Sequence, residues 1–400
     1  MSAGNKNDIE LRISDVLFMF ADVILKIILD YKGNHFQGKY DKMLVGHDHA
    51  VSGIAQISDN IIVSCGGKKF IREDNDGYHD IQIYDYDKHI RIWDINTGVC
   101  LYDIIGDGYY NVIIPLKYNK MFGNDQNVAI ASKNYILIIN TNNGKILNKY
   151  NMYDEIKTIH ELLNGKLIVG TVKNNELNFY KVSFIYAPYK IAGPFVDYKF
   201  NYKNFISNLS DDRFAMTYGN HIRIYNKDLY HKKYIRDDAT ETERTTGIYT
   251  LSDDKIIFGT TSGHLTIIND KNNTKKSIKI YDKLIANIII LGVLNNLCCF
   301  LVQYDSYDLY YIYTYNIITD VVSPTNIRVN NNNIKLLPDT QIAFYTNKHL
   351  TILDSNTFNI NTKIFLGQGN TDEYQNQLLY VLNNSKIIIS LINGNLQIFK

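Results

Sequence analysis

Residues 89–94 read "HIRIWD", and strands of this type recur along the whole chain. The fifth residue of the stretch, Trp93, has counterparts in seven later segments: Ile139, Tyr180, Tyr225, Ile268, Tyr315, Leu353 and Phe399. Successive counterparts are 46, 41, 45, 43, 47, 38 and 46 residues apart. A period of this length with several short strands per unit is typical of a β-propeller. The sequence therefore predicts an all-β chain that folds as a single propeller.

A second pattern, a polar turn followed by an apolar strand, precedes each of these segments. Examples are "ISDNIIVS" (57–64), "LLNGKLIVG" (162–170) and "LSDDKIIFG" (251–259). The Asp, Asn and Gly pairs suit a tight hairpin between the first two strands of a unit. The two patterns together predict four-stranded blades, eight in number, with seven as the alternative.

The two ends of the chain are predicted to close the ring. The last unit supplies three strands before Lys400, and residues 41–45 ("DKMLV") are predicted to add the fourth strand. This pairing removes an exposed strand edge. We expect two parts in the chain: an N-terminal segment (1–38) and the propeller (39–400).

The first unit resembles the WD-repeat family. Gly46 and His47 match the Gly-His pair of the family, Ser64 matches its second-strand serine, and "HIRIWD" ends in the Trp-Asp pair, with "INTG" following. The other seven units match in outline only. Gly-His does not recur in register, and Asp107 occupies the histidine position of the second unit.

The resemblance implies that His47, Ser64, Asp87 and Trp93 form a hydrogen-bonded chain across the first blade. A buried indole N–H needs an acceptor and a buried carboxylate needs donors, so the four residues are stable only as a set. We expect a structural role, because a hydrolase needs an exposed nucleophile and the sequence contains no G-x-S-x-G motif. The resemblance also implies a rigid, non-catalytic scaffold for protein–protein interaction.

A second copy of the opening pattern, "HDIQIYD" (79–85), lies too close to Trp93 to belong to another blade, since Tyr84 precedes Trp93 by only nine residues. We assign residues 67–86 to an insertion between the second and third strands. The turn "DNDG" (74–77) splits it into two halves that are predicted to pair as a hairpin. In WD-repeat propellers such connections lie on the narrower face, which implies a partner-binding surface here.

Basic and aromatic side chains make this hairpin the candidate contact surface, since Tyr and Arg are frequent in binding hot spots. The alternative is a solvated extension without a binding role. The candidate residues are Lys68, Lys69, Arg72, Tyr78, His79, Tyr84 and Tyr86.

Four histidines, His89, His221, His264 and His349, precede the third strand of different units. Equivalent positions around a ring cannot converge on one metal ion, whose ligands lie about 2 Å away. We therefore predict that the four histidines are turn residues.

The segment 196–205 alternates aromatic and basic residues, as single-stranded nucleic-acid binders do, but a half-buried strand shows the same alternation and is favoured. The polar stretch 236–247 is predicted to be a solvated loop.

The N-terminal segment "SDVLFMFADVILKIILDYKGN" (14–34) is predicted to form a helix capped by Ser14 and ended by Gly33. Its apolar run, 16–29, is too short to span a bilayer. Residues 20–31 resemble the first helix of an F-box, which implies a ubiquitin-ligase substrate receptor as one alternative function. The other interpretation is a helix packed on the propeller.

Composition narrows the function classes further. The chain has 42 Lys and Arg residues against 41 Asp and Glu residues, a net charge of +1, so no general attraction to nucleic acid or anionic membranes is expected. The four cysteines show no metal or disulfide spacing, which favours an intracellular, cytoplasmic location.

We expect no cofactor, no metal and no enzymatic activity. The expected partners are other proteins, with the chain monomeric or part of a larger complex. A glycan-binding propeller is a further alternative.

Overall fold

The structure is a computed structural model that describes most of the chain from residue 40 onward. Residues 1–39, and with them the predicted N-terminal helix and its F-box resemblance, lie outside the described residues. The other gaps are 74–80, 119–125, 153, 174–175, 183–188, 197–205, 210–212, 219–220, 227–230, 237–244, 252–254, 273, 281–285, 295–296, 305–309, 330–333, 338–340, 347–348, 355–359, 366–378, 384–385 and 392–394.

The described residues form eight four-stranded antiparallel sheets, numbered here in chain order. Sheet 1 contains β2 (Val51–Gln56), β3 (Ile61–Gly66), β6 (His89–Asp94) and β7 (Val99–Ile105). Sheet 2 contains β8 (Tyr110–Leu116), β9 (Asn127–Ser132), β10 (Tyr135–Asn140) and β11 (Ile146–Asn151). Sheet 3 contains β12 (Glu155–Glu161), β13 (Leu167–Lys173), β14 (Glu176–Val182) and β15 (Tyr189–Val196). Sheet 4 contains β16 (Ile206–Asn208), β17 (Phe214–Tyr218), β18 (His221–Tyr225) and β19 (His231–Arg236).

The second half of the chain repeats this plan. Sheet 5 contains β20 (Thr245–Thr250), β21 (Lys255–Thr260), β22 (His264–Asn269) and β23 (Thr274–Lys279). Sheet 6 contains β24 (Ala286–Leu294), β25 (Leu297–Tyr304), β26 (Tyr310–Asn316) and β27 (Val321–Val329). Sheet 7 contains β28 (Ile334–Leu336), β29 (Gln341–Thr346), β30 (His349–Asp354) and β31 (Ile360–Phe365). Sheet 8 contains β32 (Leu379–Val381), β33 (Ile387–Ser390), β34 (Leu396–Phe399) and β1 (Tyr40–Leu44).

Buried apolar clusters lie between successive sheets. One joins sheets 1 and 2 through Val63 and Ile130, and others join sheets 2 and 3, 4 and 5, 5 and 6, 6 and 7, and 7 and 8. Sheets 3 and 4 are linked by a hydrogen bond from Asn208 Nδ2 to the Glu161 carbonyl, 3.0 Å long. A further cluster, containing Leu44 and Trp93, joins sheet 8 back to sheet 1. The series of sheets thus returns to its start, and the predicted β-propeller of four-stranded blades is confirmed.

The repeat residue of each unit lies in the third strand of its sheet, as the spacing predicts. The repeat residues are apolar or aromatic because their side chains are buried. Trp93, Ile139, Tyr225, Ile268, Tyr315, Leu353 and Phe399 are all at most 4% exposed. Large apolar side chains of different shape fill this position, because each packs against the neighbouring sheet.

The ring closes between the two ends of the described chain. Strand β1 pairs antiparallel with β34, with Lys42 opposite Ile398 and Leu44 opposite Leu396. Asp41 forms ion pairs with Lys400, at 3.1 Å, and Lys386, at 3.4 Å. The closing strand, predicted over 41–45, begins and ends one residue earlier than expected.

The insertion in sheet 1 contains a separate two-stranded sheet. Strands β4 (Lys68–Glu73) and β5 (Ile81–Tyr86) pair antiparallel in register from Lys68↔Tyr86 to Glu73↔Ile81. The predicted pairing of the two halves is therefore observed. Because strands alternate in direction, this hairpin lies at the same end of the ring as the connections between sheets. We call this the hairpin end; the opposite end, which carries the turns such as 57–60 and 95–98, is the turn end.

Candidate functional site

Four side chains in and beside sheet 1 form a continuous hydrogen-bonded chain: Ser64 and Trp93 lie on its strands, His47 precedes β2 and Asp87 precedes β6. Trp93 Nε1 donates to Ser64 Oγ at 2.8 Å, and Ser64 Oγ lies 2.7 Å from His47 Nε2. His47 Nδ1 lies 2.6 Å from Asp87 Oδ2. All four residues are at most 4% exposed. The structure thus brings together the whole set named from the sequence, His47, Ser64, Asp87 and Trp93.

One arrangement of protons satisfies every member of this set. The carboxylate of Asp87 can only accept, so His47 Nδ1 carries a proton and donates it. His47 Nε2 is then an acceptor for the Ser64 hydroxyl, whose oxygen accepts the indole N–H of Trp93. Since Ser64 is 0% exposed and both its hydrogen bonds are used inside the blade, the set offers no nucleophile to a substrate.

Asp87 is the most heavily bonded member of the set. Besides His47, its carboxylate accepts the backbone N–H of Asp48 at 3.2 Å and of His89 at 2.9 Å, and Arg91 lies 3.9 Å away. Burial alone raises the pKa of this carboxyl, but the hydrogen bond from His47, the hydrogen bond from the His89 amide and the positive charge of Arg91 outweigh it. The pKa of Asp87 therefore lies below its ordinary value, and the carboxylate stays ionised.

Two glycines are required by this geometry: Gly46, already named as part of the Gly-His pair, and Gly66, which the sequence pattern did not single out. A Cβ on Gly46 would lie 3.0 Å from the Trp93 ring and 3.1 Å from Arg91 Nε. A Cβ on Gly66 would overlap the side chain and carbonyl of Asp87. The backbone of Gly46 therefore packs against Trp93, and the backbone of Gly66 packs against Asp87.

The base of the β4–β5 hairpin is held by the same part of sheet 1. The Gly67 N–H donates to the Ala50 carbonyl at 3.0 Å, and the Asp87 N–H donates to the Gly67 carbonyl at 3.1 Å. The Tyr86 ring stacks on Tyr109, with centroids 5.1 Å apart and an interplanar angle of 16°. Asp87 therefore closes the hairpin with its backbone and holds His47 with its side chain.

The remaining hairpin candidates are placed by their backbone alone. Lys68, Lys69 and Arg72 lie on β4, and Tyr84 lies on β5, where Lys69 is opposite Asp85. Tyr78 and His79 lie outside the described residues. Residues 67–86 contain three Lys and Arg residues but five Asp and Glu residues, so the hairpin is mixed in charge.

The four recurring histidines are the first residues of third strands, β6, β18, β22 and β30, rather than turn residues. They lie on four different sheets. Within the described part of the chain, no group of three or more His, Cys, Asp or Glu side chains is placed to hold a metal ion. The aromatic segment 196–205 lies outside the described residues except for Val196, and so does 237–244 of the polar stretch.

Sequence reasoning missed a set of polar links between sheets at the turn end. The Glu161 carboxylate accepts the backbone N–H groups of Lys117, at 2.7 Å, and Tyr118, at 3.0 Å. Gln56 Oε1 accepts the Asn383 N–H at 2.8 Å. The hydroxyls of Ser207 and Thr250 lie 2.6 Å apart. Glu161, Gln56 and Thr250 each end the first strand of their sheet, so polar residues at strand ends fasten neighbouring blades.

Comparison with solved structures supports the fold, whereas comparison with family models and curated sequences finds no match. No protein-family model matches the chain, and no curated protein sequence matches it either. Among solved structures, the crystal structure of Saccharomyces cerevisiae Sqt1 matches with a TM-score of 0.62 at 12% identity. The match covers 90% of this chain and 98% of Sqt1. This likeness supports the β-propeller fold. Among the described residues, no helix is long and apolar enough to cross a membrane.

Proposed function

We propose that this chain is a non-catalytic scaffold of the WD-repeat type that binds other proteins at the hairpin end of its ring. The observation that carries the proposal is the β4–β5 hairpin, a two-stranded sheet separate from the eight blades. Its base is fixed beside sheet 1 by the hydrogen bonds of Gly67 with Ala50 and Asp87, and Tyr86 stacks on Tyr109, directly before the first strand of sheet 2. A rigid ring that presents one fixed extension suits recognition of a partner surface.

The chemistry of the blade favours binding over catalysis. The Ser, His and Asp of sheet 1 are buried and satisfy one another, so their role in the proposal is to hold the hairpin and blade rigid. The cysteines fit the proposed cytoplasmic setting, because all four are free and Cys65, Cys298 and Cys299 are buried.

The test removes the hairpin and leaves its base. Replacing residues 69–85 with Asn-Gly keeps the Lys68↔Tyr86 pair and the Tyr86 stack, and two-residue Asn-Gly loops suit such a closure. We expect the free energy of unfolding to be retained while proximity labelling in the native host loses the proteins recovered with the unaltered chain. Recovery of the same proteins from the folded variant would contradict the proposal.

A matched control lies at the turn end. Ile318, 75% exposed on the turn between β26 and β27, is expected to tolerate Ile318→Lys without loss of partners. If partners depend instead on residues 14–34, the ubiquitin-ligase alternative gains support and binding at the hairpin end is wrong. Binding on a glycan array that the hairpin replacement abolishes would favour the glycan-binding alternative.

A further inference from the structure

Apolar side chains are unusually exposed where sheets 8 and 1 meet at the outside of the ring. Six of the fourteen exposed large apolar residues of the described chain lie on β1, on β7 or directly after β1: Tyr40, Met43, Val45, Val99, Leu101 and Ile105. We call this set the rim patch. Val45 is 67% exposed and Ile105 is 70% exposed. An apolar surface of this kind in one region marks a site that another element covers.

The two strands of the rim patch are neighbours in space. Lys42 Nζ, on β1, donates to the Asn96 carbonyl in the turn before β7. A Cβ on Gly98, in the same turn, would lie 3.6 Å from Lys42 and 3.8 Å from Leu44. Among the described residues, the outer strands of other sheets expose fewer large apolar residues: two on β11, one on β27, one on β31 and none on β23 of sheet 5. Strand β23 reads "TKKSIK" and exposes Thr, Lys and Ser, as an uncovered outer strand should.

The chain itself holds a segment that matches the rim patch. Residues 16–29 are apolar apart from Asp22 and Lys26. As a helix, this run is about 21 Å long, and the seven residues of β7 extend over about 23 Å. The five residues 35–39 lead directly to Tyr40 and reach at most about 18 Å. Since Tyr40 and Val99 both begin their strands at the turn end, the segment can lie along β7.

The polar residues of the segment also fit this placement. Asp15, Asp22, Lys26 and Asp30 follow one another at intervals of seven, four and four residues. On a helix these spacings place them in one stripe, which leaves the rest of the surface of residues 16–29 apolar. Such a helix would bury its apolar face against another surface and expose its polar stripe to solvent.

We propose that residues 14–34 form a helix that covers the rim patch of the same chain. The occupant is the chain's own N-terminal segment, because of its apolar length and the position at which it joins β1. This placement does not depend on the proposed partner-binding role of the hairpin.

Thiol labelling of the full chain tests the proposal. A cysteine replaces Ile105 in one variant and Ile318 in another, both in a Cys100→Ala background; the two isoleucines are 70% and 75% exposed in the described structure. Burial raises the pKa of Cys65 and Cys299 to about 12 and also raises that of Cys298, so the native thiols of the folded chain stay unreactive. We expect labelling at Ile105→Cys to be about ten-fold slower or more, because local opening must precede it. Equal rates at the two positions would overturn the proposal.

Substitutions within residues 14–34 then identify the occupant. Ile24→Asp, or the milder Ile27→Ser, is expected to raise the labelling rate at Ile105→Cys to that at Ile318→Cys, whereas the matched control Asp22→Asn leaves protection intact. Labelling of more than one thiol reports unfolding through the buried native cysteines. Protection that survives Ile24→Asp and Ile27→Ser in the folded chain, or that weakens on dilution, would assign the patch to another protein or a second copy and overturn the proposal.

Discussion

Ser64 Oγ accepts the indole N–H of Trp93 at 2.8 Å, and the two residues lie on the neighbouring strands β3 and β6. The same oxygen contacts His47, so one hydroxyl links the centre of sheet 1 to the segment that precedes it. Because Trp93 also packs in the cluster that joins sheet 8 to sheet 1, this bond connects the polar set with ring closure.

Removing this hydroxyl should destabilise the propeller. Ser64→Ala leaves the Trp93 N–H and His47 Nε2 buried without partners, so we expect the free energy of unfolding to fall by about 1–3 kcal/mol. Trp93→Phe, which removes the N–H but keeps an aromatic ring, should also destabilise. A double-mutant cycle in denaturant should give a coupling of about 0.5–3 kcal/mol between the two sites. Additive effects would show that the bond contributes nothing to stability.

The lowered pKa of Asp87 gives the stability a defined pH dependence. A carboxyl whose pKa is lower in the folded state stabilises it fully above the unfolded value, about 3.9, and this contribution disappears as the pH falls through the folded pKa. We expect Asp87→Asn to be less stable than the unaltered chain at neutral pH. The difference should shrink below about pH 4. Unfolding titrations at several pH values measure it, and a gap that stays constant into acid would contradict the assignment.

Gly66 should tolerate no side chain. An added Cβ overlaps Asp87, so Gly66→Ala is expected to cost about 1–3 kcal/mol of unfolding free energy, as overpacking of a buried site does. Gly108→Ala is the matched control, because its Cβ would meet only Ser132 Oγ at 3.4 Å, an ordinary contact. We expect that control to stay within about 0.5 kcal/mol. Equal effects at the two glycines would show that Asp87 moves aside without cost.

The sequence predicted the features that repeat in every unit, the closing strand and the polar set of the first blade, and it missed the polar links between neighbouring sheets. Third strands such as β10 and β18 were found because their apolar spacing repeats in every unit. The β4–β5 hairpin was found because "HDIQIYD" duplicates "HIRIWD" within a few residues. The link between Glu161 and Lys117 joins residues 44 apart, and that between Gln56 and Asn383 joins residues 327 apart. Nothing in the local pattern around Glu161 or Gln56 indicates a partner on the next sheet.

Glu161 offers a test of these links between blades. Its carboxylate accepts two backbone N–H groups from the residues that directly follow β8 of sheet 2, and Glu161 is 8% exposed. Glu161→Ala leaves both N–H groups without this acceptor and should lower the free energy of unfolding by about 1.5–3 kcal/mol. Glu161→Gln keeps one acceptor oxygen and should recover part of the loss. A glutamine variant no more stable than the alanine variant would argue against a hydrogen-bonding role.

Ring closure can be tested within β1 itself. Leu44 is 1% exposed in the cluster with Trp93 and Ile398, whereas its neighbour Met43 is 36% exposed. Leu44→Ala opens a cavity at the junction of sheets 8 and 1 and is expected to cost about 2–5 kcal/mol of unfolding free energy. Met43→Ala, on the same strand, should cost less than Leu44→Ala, because Met43 lies outside the cluster between sheets 8 and 1. Since Trp93 is the only tryptophan, its fluorescence reports the junction directly during denaturant unfolding. Equal stability of the two variants would show that β1 does not hold the ring closed.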